Sequence, residues 1–255
     1  MNARADHLHT ASSATDFDLN AQQQIGQIAV HLPGATAVFR RLKLDFCCGG
    51  QVALAQATAD KGLDVNAVLA ELAALQHHEA APEAASPSVL IDHILVRYHE
   101  VHRAQLPELI RMARRVEAVH RDNPQVPAGL ADLLEAMHEE LLSHMRKEEQ
   151  ILFPMMKAGG SPFVGQPISM MRAEHVDHGA ALDQLNALTH DATPPLGACN
   201  TWRALYAGIA QLNDDLISHI HLENNVLFPA FEADAAPSAT SSPAQGCGSS
   251  GCACG

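Results

Sequence analysis

A chain that repeats itself must fold its repeated segments into like pieces of structure, and this one repeats twice over. The segment EELLSHMRKEEQILFPMM, starting at Glu139, aligns without a gap on DDLISHIHLENNVLFPAF, starting at Asp214, at an offset of 75 residues. Both carry S-H-x-x-x-E followed by L-F-P. The matched pairs are Ser143/Ser218, His144/His219, Glu148/Glu223, Leu152/Leu227, Phe153/Phe228 and Pro154/Pro229. A second repeat, at an offset of 76, sets Leu95, His99, His102, Leu106 and Leu109 against Met171, His175, His178, Leu182 and Leu185. Spacings of three and four alternate in each series, the period of one helix face. The order A-B-A′-B′ predicts four helices built from two related helical hairpins, packed as an antiparallel four-helix bundle. No segment alternates like a strand over a useful length, so the expected class is all-α.

The polar residues of the repeat lie on the apolar seams. One helix reads Leu130, Leu134, Met137, Leu141, His144, Glu148, Ile151; its partner reads Trp202, Leu205, Ile209, Leu212, Leu216, His219, Glu223, Val226. His and Glu therefore occupy inward positions in line with Leu and Ile. A lone H-x-x-x-E is an ordinary pair on any helix face, and a single buried His is ordinarily a hydrogen-bonded core residue. Two copies in register, joined by His from the other two helices, are another matter. A buried carboxylate is costly unless it is paired or metal-bound. Imidazole and carboxylate without thiolate suit Fe, Zn, Cu or Ni. Two carboxylates able to bridge predict a pair of ions, and among paired ions in helical bundles iron leads. Spacing alone permits either His99 or His102, and either His175 or His178, since all four lie on seams.

The rest of the 255-residue chain frames this bundle. The expected organisation is a disordered N-terminus (1–18), a small helical domain (19–78), a linker (79–88), the bundle (89–232) and a flexible Cys-containing tail (233–255). In the small domain Pro33-Gly34 and Gly49-Gly50 read as helix breaks, and Asp64 as the N-cap of a helix over Val65 to Gln76. Cys47 and Cys48 precede a helix expected at Gln51, where a helix N-terminus would lower thiol pKa. The tail carries Cys247, Cys252 and Cys254 as C-x4-C-x-C, three soft donors for a metal or redox role. Cys199 is assigned nothing, and His7, His9, His77 and His78 read as solvated. A formal charge of −13 argues against nucleic acid and anionic lipid as partners. No apolar run approaches the ~20 residues of a membrane span, and the N-terminus has no apolar signal core. Adjacent cysteines and a thiol-rich tail do not make a secreted disulfide framework. A cytoplasmic protein is expected.

On these residues the chain resembles a known family. Leu90 to Phe231 is similar to a hemerythrin-like domain, and YHEVHRAQLPEL, HMRKEEQILFP, AEHVDHG and HIHLENNVLFP resemble the bacterial di-iron proteins that repair iron centres. The segment HLPGATAVFRRLKLDFCCGG resembles that family's cysteine-containing N-terminal domain, and the likeness extends over roughly 215 residues. The resemblance implies two iron ions, oxo- or hydroxo-bridged, with His99, His144, Glu148, His175, His219 and Glu223 as ligands and both Glu as bridges. It selects His99 and His175 over His102 and His178, which become candidates for the surrounding shell. It implies repair of iron–sulfur clusters damaged by nitrosative or oxidative stress, by supply of iron from a labile centre, with a thiol role for Cys47 and Cys48. An iron-donating repair protein is expected rather than a turnover enzyme; binding or reduction of NO is the alternative. Expected partners are damaged iron–sulfur proteins, with NO or O2 as small ligands; a homodimer is left open. The tail departs from the family pattern.

Overall fold

The computed structural model describes residues 19–32, 34–75 and 86–232. The expectations for residues 1–18, for most of the linker and for the tail with its three cysteines fall outside the described residues, as do those for His7, His9, His77 and His78. Among the described residues the elements are helices, with one isolated bridge between Gln24 and Ala53.

Four short helices come first: α1 (Ile25–His31), α2 (Ala35–Arg41), α3 (Leu54–Asp60) and α4 (Val65–Leu75). They enclose a core of their own, built on Ile25, Ile28, Phe39, Phe46, Leu54 and Leu72. Asp64 caps α4, accepting the Asn66 N–H at 2.9 Å and so satisfying one of the donors a helix start leaves open. Gly34 opens α2 at a φ of 88°, a left-handed conformation that glycine adopts without steric cost. The helix expected at Gln51 begins at Leu54 instead. Residues 50–54 are tied to the start of α1: Gly26 N–H donates to Gly50 O, Ile25 N–H to Val52 O and Leu54 N–H to Gln23 O, at 2.8–3.0 Å. Those bonds hold residues 50–53 in a turn that ends in the Gln24–Ala53 bridge, where the sequence pattern suggests a helix.

The bundle follows. α5 covers residues 87–119, α6 residues 130–157, α7 Gly165–Thr189 and α8 residues 200–232. α5 starts at Pro87, inside the expected linker, because proline suits a first turn whose N–H groups are unpaired anyway. α5 packs on α6, α6 on α7, α7 on α8 and α8 back on α5. One end of the bundle is filled by Leu106, Leu109, Leu134, Trp202 and Ile209 among others. The other end is filled by Ile91, Ile94, Phe153, Ile168 and Phe228. Between these two apolar plugs lies a buried layer of six His and two Glu.

Three of the four rods contain a π-helical turn at that layer: Leu95–His99 in α5, Glu148–Leu152 in α6 and Glu223–Leu227 in α8. In each, the N–H of Glu100, Phe153 or Phe228 bonds the carbonyl five residues back. The wider turn adds one residue and moves the seam on by one position. This corrects the seam read from the sequence. Ile151 is 55% exposed and Val226 and Leu95 are half-buried, while Leu152, Leu227 and Ile94 take the inward places. The L-F-P motif sits at this point in both copies. Pro154 and Pro229 have no N–H to give, so they relax the α-helical ladder where the wide turn ends.

Candidate metal centre

Each π turn has a site residue at one end: His99 closes the first, Glu148 opens the second and Glu223 opens the third. The ligands keep the regular spacing of their helices, and the added residue shifts the seam only on the side of the π turn nearer the L-F-P plug. The result is two groups of donors, His99–Glu148–His219–Glu223 and His144–Glu148–His175–Glu223, with the donor atoms of each within 4.8 Å of one another. All six residues are buried to within 1%. The two groups share both carboxylates, and each carboxylate divides its oxygens between them. Glu148 faces His99 Nε2 with Oε2 at 3.4 Å and His144 Nε2 with Oε1 at 3.3 Å. Glu223 faces His219 Nε2 with Oε1 and His175 Nε2 with Oε2, both at 3.1 Å.

The ring orientations are set from behind. His99 Nδ1–H donates to Glu149 Oε1 at 2.8 Å, and His144 Nδ1–H to Glu174 Oε2 at 2.9 Å. His175 Nδ1–H donates to Asn224 Oδ1 at 2.8 Å. Carboxylate and amide oxygens only accept, so Nδ1 carries a proton in each, and in the neutral ring the Nε2 lone pair points inward. Arg103 holds Glu149 at 2.6 Å, and Lys147 holds Glu174. Sequence reasoning missed all three acceptors. The repeat contains a signal for two of them: Glu149 and Asn224 are equivalent positions, and they hold the equivalent His99 and His175. The fourth ring departs from the pattern. Tyr98, the counterpart of Glu174, stacks on His219 at 5.3 Å, and His219 Nδ1 has no hydrogen-bond partner.

This arrangement fits a pair of cations. The Nε2 atoms of His99 and His219 lie 3.2 Å apart, and those of His144 and His175 lie 3.1 Å apart. Two nitrogen lone pairs at that distance repel unless a proton or a metal ion lies between them. Both oxygens of Glu148 and Oε2 of Glu223 are buried without hydrogen-bond donors. Donors about 2.1 Å from one ion and at right angles lie about 3.0 Å apart, close to the separations found. Electrostatics agree. Burial alone would raise the Glu148 carboxyl, but His144, with His99 and His219 near it, holds it well below the usual range. Burial and Glu148 push Glu223 up, yet His219 and His175 bring it below its ordinary value. Burial opposes a charged His144, but Glu148 and Glu223 push it up to about 9. The cavity thus draws positive charge to its centre.

His102 and His178 lie outside both donor groups. Burial drives them down to about 2 and about 3, so both rings are neutral. Neither nitrogen of His102 has a partner, and Nδ1 of His178 has none. His102 lies against His219 and His178 against His144, with ring centres 5.5 and 4.8 Å apart. A cleft of about 620 Å³ between α6 and α7 reaches His178 and Glu174 from outside.

Cys47 and Cys48 sit on the loop before α3, packed on the bundle. The Cys48 thiol donates to the His175 carbonyl at 3.4 Å, and Asn224 Nδ2 donates to Cys47 O at 3.1 Å. One side chain therefore links the His175 ring to the cysteine loop. The helix N-terminus expected beside the thiols is not there, since α3 begins only at Leu54. The Cys47 thiol is pushed up instead, by its contact with Cys48, by burial and by Asp45. Cys199 meets His120 Nε2 at 3.2 Å, far along the bundle in the Trp202 plug.

Comparison with known proteins agrees with this architecture. Residues 90–231 match the family described as hemerythrin HHE cation binding domain. Residues 21–76 match ScdA_N, a domain of unknown function (DUF542). The chain is similar to proteins named iron-sulfur cluster repair protein YtfE. The identity is 51% to that of Dickeya chrysanthemi, 54% to that of Citrobacter koseri and 53% to those of Escherichia coli strains. Each match covers 210 residues, 81% of this chain and 95% of the relative. No helix among the described residues is long and apolar enough to cross a membrane. With two donor groups sharing their carboxylates in the bundle core, and family matches over both helical units, the chain belongs to the hemerythrin HHE family and, within it, to the family of these YtfE relatives.

Proposed function

We propose that the bundle holds two iron ions and supplies iron to damaged iron–sulfur clusters. The observation that carries this reading is the sharing of Glu148 and Glu223 by two otherwise separate donor groups. His99 and His219 would serve one ion and His144 and His175 the other, with both carboxylates as bridges and an oxo or hydroxo group between the ions. Such a pair supplies redox-active iron with coordination positions left for water or a small ligand. The chain's own residues do the rest. Glu149, Glu174 and Asn224 hold the imidazoles in the ligating tautomer, and the two apolar plugs keep bulk water from the core. The cargo role draws on the relatives' name, iron-sulfur cluster repair protein. Histidine ligands can be protonated and thiols can compete for the metal, so a His-rich centre can release its ions. The proposed partners are damaged iron–sulfur proteins; the proposed location is the cytoplasm.

Metal analysis and a Mössbauer spectrum on protein purified without air test the centre: two coupled irons per chain with nitrogen and oxygen ligation are expected. Glu148→Ala should retain no more than one. A Glu148→Ala protein with two irons would remove the bridging assignment. Incubating the loaded protein with a cluster-depleted client then tests the cargo role. Iron should leave the bundle as client activity returns. NO turnover with the iron retained would favour the alternative instead.

A further inference from the structure

We propose that the two ion positions of the bundle are unequal, with Tyr98 as the residue that makes them so. The ion between His99 and His219 is held less tightly and is given up first, a reading that rests on the two-iron centre proposed above.

The repeat builds both positions from equivalent parts. Each takes one His from an S-H-x-x-x-E segment and one from the other repeated series. Each also faces one oxygen of Glu148 and one of Glu223. The difference lies behind the rings. At the His144–His175 position both imidazoles are held: His144 Nδ1–H donates to Glu174 at 2.9 Å, and His175 Nδ1–H to Asn224 at 2.8 Å. At the His99–His219 position only His99 is held, by Glu149. His219 has aromatic neighbours and no acceptor. Tyr98 lies parallel to it at 5.3 Å, with 3° between the ring planes, and the rings of His99 and His102 stand 5.0 and 5.5 Å away. Its Nδ1 is buried and meets no hydrogen-bond partner.

Imidazole chemistry makes that difference matter. To ligate through Nε2, a neutral His219 must carry its proton on Nδ1. There the N–H is buried with nothing to accept it, a penalty the other three rings escape. An acceptor would also raise the basicity of Nε2. His219 has a satisfied alternative to ligation, because a proton on Nε2 can be donated to Glu223 Oε1 at 3.1 Å. His144 also has a carboxylate facing its Nε2, but moving its proton there would give up the bond to Glu174. The repeat shows what has changed. Tyr98 and Glu174 are equivalent positions, at an offset of 76. Each has a cation beside it: Lys147 holds Glu174, and the Arg97 guanidinium lies 5.0 Å from the centre of the Tyr98 ring. Only the acceptor is replaced, by a ring that offers its face.

Iron-loaded full-length protein, dialysed without air against increasing concentrations of a ferrous chelator, tests this through the iron left per chain at equilibrium. Wild type should lose iron in two steps of one ion each, at least about tenfold apart in free iron, the usual effect of one hydrogen-bond partner behind a ligand. A Mössbauer spectrum taken between the steps should show one uncoupled iron. Tyr98→Glu supplies the missing acceptor and should move the first step toward the second by about tenfold, a gain in affinity that a merely structural disturbance of the core would not give. Tyr98→Phe keeps the stacked ring and should leave both steps in place. Glu174→Ala should weaken the second step and so narrow the separation from the other side; it carries the test if Tyr98→Glu misfolds. A single step from wild type, or a separation that neither Tyr98→Glu nor Glu174→Ala narrows, would overturn the inference. Fewer than two irons per chain before any chelator is added would instead remove the two-iron reading, and this inference with it.

Discussion

Glu149 is half-buried, belongs to neither donor group, and yet sets the tautomer of His99. Removing its carboxylate frees His99 Nδ1 and leaves Arg103 without its partner. Glu149→Ala should fold and should lose metal affinity by about 10–100-fold, as measured by competition with a chelator. The role of Glu149 was hard to see beforehand because an acceptor for a ring N–H need only be near that ring in space. The ligands themselves were easier to find, since S-H-x-x-x-E occurs twice in register. The choice of His99 over His102 rested on resemblance alone, because both fit a period of three and four. In the fold, His99, at the end of a π turn, faces Glu148 Oε2 at 3.4 Å, while His102 lies one turn on, against His219.

At the scale of elements, the π turns decide which residues fill the apolar plug beside the ligand layer. Gln150, exposed within the second π turn, is the residue to remove. Deleting it returns α6 to α-helical register and rotates Leu152, Phe153 and Met156 off the seam. At about 1.5–3 kcal/mol for each large apolar side chain exposed, the loss should be roughly 5 kcal/mol, read by denaturant unfolding, and bound metal should fall as well. The helices were legible from periodicity, but their register beyond the ligands was not. Ile151 and Val226 continue the spacing perfectly, yet it is Leu152 and Leu227 that are buried. A five-residue hydrogen bond leaves no pattern of its own in a short stretch. The paired L-F-P prolines are its nearest trace.

At the scale of the whole molecule, two helical units meet at Asn224 and Asn225, which donate to the carbonyls of Cys47 and Phe46. Asn224 must also accept from His175, so it needs a donor and an acceptor together. Its repeat counterpart Glu149 needs only an acceptor. Asn224→Asp should keep metal but set a carboxylate against the Cys47 carbonyl. A cost of about 1–3 kcal/mol is expected, seen as faster hydrogen exchange over residues 46–50 with metal content unchanged. Metal should also hold the bundle together. An ion present at a hundred times its dissociation constant adds about 2.7 kcal/mol, so chelation should lower the melting temperature by about 5–10 °C in a chain of this size, and readdition should restore it.

Helix period is a local property, so four rods, their apolar seams and the polar positions along those seams could be read directly from residue order. The repeat added the pairing of hairpins and the six ligands, because equivalent sequence folds into equivalent structure. Other features depend on groups far apart in the chain. Residues 50–53 stay out of the helix because this stretch bonds to the start of α1. His99, His144 and His175 aim inward because Glu149, Glu174 and Asn224 come from neighbouring helices. The cysteine loop lies on the bundle because Asn224 and Asn225 find its carbonyls. Hydrogen bonds between distant segments choose among locally equivalent options, and those bonds exist only once the helices have packed.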